Sequence, residues 1–287
     1  MSASPHMPAL FLGHGSPMNA LERNRYSAAW RAVGAQVPRP RAILMVSAHG
    51  YINATAVTAM ARPKTIHDFY GFPKALFDVQ YPAPGLPELA EEVADVVHPE
   101  YVGADRDSWG LDHGTWSVLV HAFPDADIPV VQLSINAAKP PEYHLALGAR
   151  LAALRDRGVL VMGSGNVVHN LRAIDWNAKD EGFDWARRFN KDAIAIATST
   201  PGNTPALMHR QDFLQVAPTP EHFLPFLYVA GFGAETNQPL DVVIDGYAYG
   251  SLSMTCFSVG MEQPASQQVS AGAADLGSNA PPENANI

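Results

Sequence analysis

Short apolar runs alternate with amphipathic stretches along most of the chain. Seven runs predict strands, at 9–12, 42–47, 54–60, 128–133, 159–162, 242–245 and 253–258. The runs AILMVS and VLVM are almost continuously apolar, as strands covered on both faces must be. Between them, apolar residues recur at helical spacing over 19–33, 86–97, 115–122, 142–157, 183–198 and 221–230. Alternation of the two periods predicts an α/β fold: a single domain with a central, largely parallel or mixed sheet flanked by helices. That domain is expected over 8–261, after a short N-terminal extension, 1–7. Past Met261 the chain has no aromatic residue, Lys or Arg, so a disordered tail is expected over 262–287.

Composition narrows the function. Hydrophobic residues are 47% and charged residues 16% of the 287, enough for a large core. Nineteen basic against 28 acidic residues leave a net charge of −9, which argues against a nucleic-acid partner. A single cysteine, Cys256, excludes a disulfide framework and any multi-cysteine metal site. No apolar run reaches the roughly 20 residues of a membrane span, and the first residues lack a signal-peptide pattern. A soluble cytoplasmic protein is therefore expected. There is no Walker A motif and no GxGxxG, and Gly163-Ser164-Gly165 lacks the spacing of a nucleophile elbow.

Eleven histidines remain, and their placement carries the chemistry. His14, His49 and His169 each follow an apolar strand through a turn of small residues. In open α/β sheets ligands bind outside the carboxyl ends of strands, so these three should gather at one rim. His113, in WGLDHGTW, and the pair Glu221–His222, in APTPEHFLP, sit in loop-to-helix contexts. Pro218-Thr219-Pro220 resembles a helix start, which would put Glu221 and His222 in its first turn, about 100° apart. One of the two is then expected to face the site; Glu221 could equally complement the helix dipole. His6, His98, His121, His144 and His209 read as surface or core residues. Without thiolates, the metal site this chain can build is histidine or histidine–carboxylate, as in facial-triad iron(II) oxygenases or hydrolytic zinc enzymes. The aromatic stretch 66–73, with Phe69, Tyr70 and Phe72, and the residues Trp109 and Trp116 suit either a planar-substrate pocket or loops pinned to the core.

GHGSPMN, SAH, TIHDFYGFP, YPAPG, LDHGTW, GSGNVVHNLRA and TPEHFLP, in this order, resemble the 4,5-DOPA extradiol dioxygenase family, class III ring-cleaving dioxygenases of the LigB-like superfamily. The resemblance runs from about Pro8 to about Phe257. It implies a LigB-like α/β domain and an oxidoreductase of aromatic metabolism. Its partners would be a small-molecule catechol such as DOPA and O2, its product a muconic semialdehyde (seco-DOPA). It implies His14 and His49 as metal ligands, His113 as a catalytic acid/base or positioning residue, and His169 as ligand or general base. His222 would complete the metal site, with Glu221 in contention because the wider superfamily has a glutamate there. Iron(II) would be needed for activity, with zinc an occupant of the isolated protein. Gly50 departs from the pattern, which has tryptophan after SAH. The competing readings are a zinc-dependent hydrolase with Glu221 as base, and a non-catalytic metal-binding protein with a closed coordination shell.

Overall fold

The computed structural model describes residues 6–261. The expected tail, 262–287, and residues 1–5 of the expected extension lie outside the described residues. Met7, also assigned to that extension, is buried, and its N–H bonds to the Arg155 carbonyl.

The order of elements is β1 (Ala9–Gly13), α1 (Arg25–Gln36), β2 (Ala42–Ile52), β3 (Ala56–Thr58), α2 (Lys74–Phe77), α3 (Pro87–Val97), β4 (Gly103–Asp105), α4 (His113–Ala122), β5 (Val130–Asn136), α5 (Pro141–Leu151), β6 (Val159–Gly165), α6 (Asp184–Ala197), α7 (Phe213–Val216), α8 (Leu224–Glu235), β7 (Asp241–Ile244), β8 (Tyr247–Ala248), β9 (Leu252–Ser253) and β10 (Cys256–Val259). Eight strands form one sheet in the order β4-β3-β5-β2-β6-β1-β10-β7. The inner four, β5, β2, β6 and β1, are parallel; β3 joins β5 and β10 joins β1 antiparallel. The mixed α/β single domain expected from the apolar pattern is the one observed.

Alternation along the inner strands divides the core. Phe11, Leu44, Val46 and Val161 face a cluster built with α3, α5, α6 and α8. Leu10, Leu12, Ile43, Met45, Leu160 and Met162 face a second cluster built with α1 and α4. Because the inner strands are covered on both faces, their sequences are continuously apolar rather than alternating. Among the described residues no helix is long and apolar enough to cross a membrane.

Several boundaries differ from expectation for local reasons. The expected helix 19–33 breaks into a 3-10 turn, Pro17–Ala20, and α1. Asn24 starts α1 by accepting from the amides of Tyr26 and Ser27, while Ser27 Oγ accepts from the Asn24 amide. The expected strand 253–258 divides into β9 and β10, because the Met254 amide turns away to bond Gly246. The expected helix 221–230 begins at Leu224. Pro225 sits in its first turn, and the Pro220 carbonyl instead closes the preceding turn by accepting from Phe223 and Leu224. Glu221 and His222 therefore occupy a turn before the helix, not its first turn.

Candidate metal centre

The carboxyl ends of the parallel strands converge on one rim. β1 runs directly into His14, whose amide bonds the Gly165 carbonyl at the end of β6. The turn depends on Gly15, with φ +56, where an added Cβ would run into the Met254 side chain. β2 does not end before His49. Its register with β5 shifts between Val46 and Tyr51, and pairing resumes at Tyr51–Ile135. Such a bulge re-aims a side chain without ending the strand. His113 opens α4, capped by Asp112, whose Oδ1 accepts from the Thr115 amide. The next residue is glycine by necessity: a Cβ at Gly114 would lie 2.4 Å from Ser47 Oγ and 2.9 Å from His49 Cδ2. His169 follows β6, its amide bonded to the Val216 carbonyl. The Glu221–His222 turn is held to the end of β6 by the Asn166 amide on the His222 carbonyl.

Five histidines and two carboxylates, Glu221 and Asp68, meet there. Candidate ligand atoms of His14, His49 and His113 all lie within 4.8 Å of one another, as do those of His169, Glu221 and His222. The two groups adjoin, with ring centroids of His14–His222 at 5.3 Å and His49–His222 at 5.0 Å. His169 stacks flat on His222, centroids 3.5 Å apart and planes 3° from parallel.

The outward nitrogens decide where the lone pairs point. Ser164 Oγ gives its one proton to the Gly114 carbonyl, so at 2.9 Å from His14 Nδ1 it can only accept. His14 thus carries its proton on Nδ1, leaving Nε2 a lone pair. His49 Nδ1 faces Asp68 Oδ2 at 3.4 Å, and His222 Nδ1 faces Glu221 Oε1 at 3.2 Å. A carboxylate can only accept, so both rings present Nε2 as the unprotonated atom. His14 Nε2 and His49 Nε2 stand 3.4 Å apart, and His222 Nε2 is buried without a partner. Two imidazole nitrogens about 2.1 Å from one ion lie roughly 3 to 3.4 Å apart. The His14–His49 pair therefore fits a divalent cation, and without one these two lone pairs would oppose each other.

Electrostatics hold the histidines in the ligand form. Burial lowers the pKa of His14, His49 and His222 well below the ordinary value, and the neighbouring imidazoles lower it further. Burial would raise Asp68, but the imidazoles of His113 and His49 reverse the sign and hold it below the usual carboxylate range. Asp68 Oδ1 accepts from the His113 amide at 2.9 Å and lies 3.0 Å from His113 Nδ1, and both ring nitrogens of His113 are buried without a hydrogen-bond partner. Burial and the nearby Asp68 carboxylate push Asp112 up to about 6. Its side chain accepts from Ser47, Trp109 and Gln132.

All the histidines singled out from sequence, His14, His49, His113, His169 and His222, are in this cluster. The aromatic loop proves double in character. Phe69 and Phe72 are buried core pins, and Phe69 lies edge-on to His113 at 5.4 Å. Sequence reasoning missed Asp68 and Ser164. An acid inside the apolar TIHDFYGFP segment was the available signal for Asp68; nothing in GSG pointed to Ser164 as the anchor of His14. Elsewhere, His121 Nε2 bonds the Asn19 carbonyl, and His6 and His209 pair with Asp156 and Glu142 at the surface.

A family model described as the catalytic LigB subunit of aromatic ring-opening dioxygenase matches residues 2–251. The chain belongs to the LigB family. This LigB-family chain is accordingly an oxygenase with a histidine-lined metal site. It is 48% identical over 262 residues to the 4,5-DOPA dioxygenase extradiol of Escherichia coli (strain K12), an alignment covering 90% of this chain and 96% of that one. The protein of the same name from Beta vulgaris is 34% identical, covering 85% and 95%. The crystal structure of an uncharacterized Escherichia coli K12 protein shares the LigB-like fold, with TM-score 0.78 and 43% identity, covering 88% of this chain and all of that one.

Proposed function

We propose that this chain is an extradiol dioxygenase that uses a non-haem iron(II) ion and O2 to open a catechol such as DOPA, giving a muconic semialdehyde. The observation that carries the reading is the 3.4 Å approach of His14 Nε2 to His49 Nε2, with the His222 ring 5.3 and 5.0 Å from these two rings and its Nε2 buried without a partner. These three residues would hold the ion. When bound, iron(II) supplies positive charge that favours the ionised catechol and the redox capacity to use O2.

The remaining groups handle protons and position. His113, with Nδ1 3.0 Å from Asp68 and Nε2 unpartnered, is the acid/base that takes a catechol hydroxyl proton. Asp68 orients it and stabilises the imidazolium that forms. His169 is the second catalytic histidine. Stacked flat on His222, it holds its lone pairs in a plane parallel to that of His222 and 3.5 Å from it by ring centroid, so the two rings' lone pairs do not share a plane. That favours an acid/base role beside the ion over ligation. Glu221 Oε1 accepts from Thr219 Oγ1 and faces His222 Nδ1, so it positions a ligand. The hydrolytic alternative needs that carboxylate as a base on water, and its engagement with His222 argues against it.

The test is oxygen uptake after anaerobic iron(II) loading, with DOPA, dopamine, catechol and 4-methylcatechol as substrates. Uptake with formation of a yellow ring-opened product is expected. Absence of uptake with all four would sink the proposal.

A further inference from the structure

The first turn of α4 is tied to every member of the His14–His49–His113 group. His113 is its first residue. The Gly114 carbonyl accepts from Ser164 Oγ, the hydroxyl that anchors His14 Nδ1. Asp112, the cap, accepts at Oδ1 from Ser47 Oγ at 2.6 Å, and that hydroxyl in turn accepts from the His49 amide at 3.3 Å. The packing leaves no slack: Gly114 has no room for a Cβ against Ser47 and His49, and the His49 and His113 ring centroids are 3.8 Å apart.

Asp112 does more than cap a helix. Capping takes one acceptor, which Ser, Thr or Asn supplies equally well. This carboxylate is instead fully buried, which strips it of water and demands partners in return. Oδ1 accepts from the Thr115 amide as well as from Ser47. Oδ2 accepts from Gln132 Nε2, on β5, and from Trp109 Nε1 at 3.4 Å. Two donors on each oxygen suit an ionised carboxylate. Gln132 is fixed in turn: its Oε1 accepts from Thr115 Oγ1 at 2.7 Å and from the Asp112 amide at 3.4 Å, so its Nε2 must face the carboxylate. One anion thus joins the β2 bulge, β5 and α4 where the proposed ligand His49 and the proposed acid/base His113 are carried.

Resting on the dioxygenase reading, we propose that Asp112 is a positioning residue for the reaction: through Ser47 and Gln132 it fixes His49 and His113 relative to each other, so that ligand and acid/base meet the same catechol. The experiment compares the parent with Asp112→Asn, Gln132→Glu, the double variant carrying both, and Ser47→Ala. Each is read by cobalt(II) titration of metal-free protein, by the visible spectrum of the cobalt-loaded form, and by kcat and KM for DOPA after iron(II) loading. Asp112→Asn sets an amide NH2 against Gln132 Nε2 and Trp109 Nε1. It should weaken cobalt binding about 10- to 100-fold, the scale for losing an outer partner of a metal site, shift the cobalt bands, and lower kcat more than it raises KM. Gln132→Glu sets two carboxylates against each other and should also weaken binding. The double variant moves the carboxylate to position 132, where it accepts from the new amide, from Thr115 Oγ1 and from the backbone amide of residue 112. It should regain about tenfold of the lost affinity, and the parent spectrum with it. Ser47→Ala leaves the helix cap intact and should weaken cobalt binding about 2- to 10-fold, the worth of one hydrogen bond; it gives the answer if Asp112→Asn does not fold. Parent-like cobalt affinity and spectrum in Asp112→Asn and Ser47→Ala would overturn the proposal, as would a double variant no better than either single one. If no catechol supports oxygen uptake by the parent, the dioxygenase reading falls, while the cobalt arm still decides whether Asp112 positions His49.

Discussion

His144 and His14 are both fully buried imidazoles whose pKa burial lowers, yet they do different work. His144 lies on α5, with Nδ1 3.0 Å from the Tyr228 hydroxyl on α8 and Nε2 without a partner. His14 has three more imidazole rings within 6.0 Å, and its Nδ1 is tied down by Ser164. An orphaned nitrogen therefore does not mark a metal site, since His144 has one too. Crowding does: several neutral rings gather in one volume while carboxylates and a hydroxyl lie at their backs. Burial keeps a histidine neutral; only its neighbours decide whether neutrality is used.

The comparison breaks most severely at the ligands. His14→Ala should abolish iron retention, measured by metal analysis after gel filtration, whereas His144→Leu should leave metal content at the parent level. Loss of metal in both would mean that the two histidines are not distinguished as argued. Next in size, His113→Ala should retain metal but slow turnover by roughly 10²–10⁴-fold, the range for a lost general acid/base. If it released the ion, His113 would be a ligand. Asp68→Asn keeps the shape and removes the charge, and should cost about 10- to 100-fold in activity or metal affinity. It should also shift the pH profile of kcat, which a purely packing role would leave in place.

The smallest effect concerns the core histidine. Burial holds His144 at about 4, below the ordinary 6.5, so between these values the unfolded chain binds the extra proton. Stability should then be full above pH 6.5 and be lost as pH falls toward 4, by at most about 3 kcal/mol from this residue. Denaturant unfolding of metal-free protein at pH 7 and pH 4.5 should show a smaller pH loss for His144→Leu than for the parent. The site histidines contribute with the same sign, so the slope should shrink without vanishing.

Legibility followed locality. β1 and β6 could be read because strands buried on both faces have continuous apolar runs. His14, His49 and His169 stood out because each follows such a run. β4, three half-exposed or exposed residues, left no pattern to read. The break before α1 was encoded in Asn24 and Ser27 but obscured by apolar residues on both sides of it. Asp68 and Ser164 act on partners 45 and 150 residues away, beyond the reach of any periodicity.

By itself the sequence determined the α/β class, the absence of thiolate ligands and the set of imidazoles available for chemistry, because composition and near-neighbour periodicity carry that information. Only the tertiary structure decided that β6 lies between β1 and β2, that Glu221 backs His222, and that one aspartate spans two histidines. Those outcomes depend on contacts between segments far apart in the chain, which form only when two-faced burial of the inner strands stacks the layers and brings their carboxyl ends to one rim.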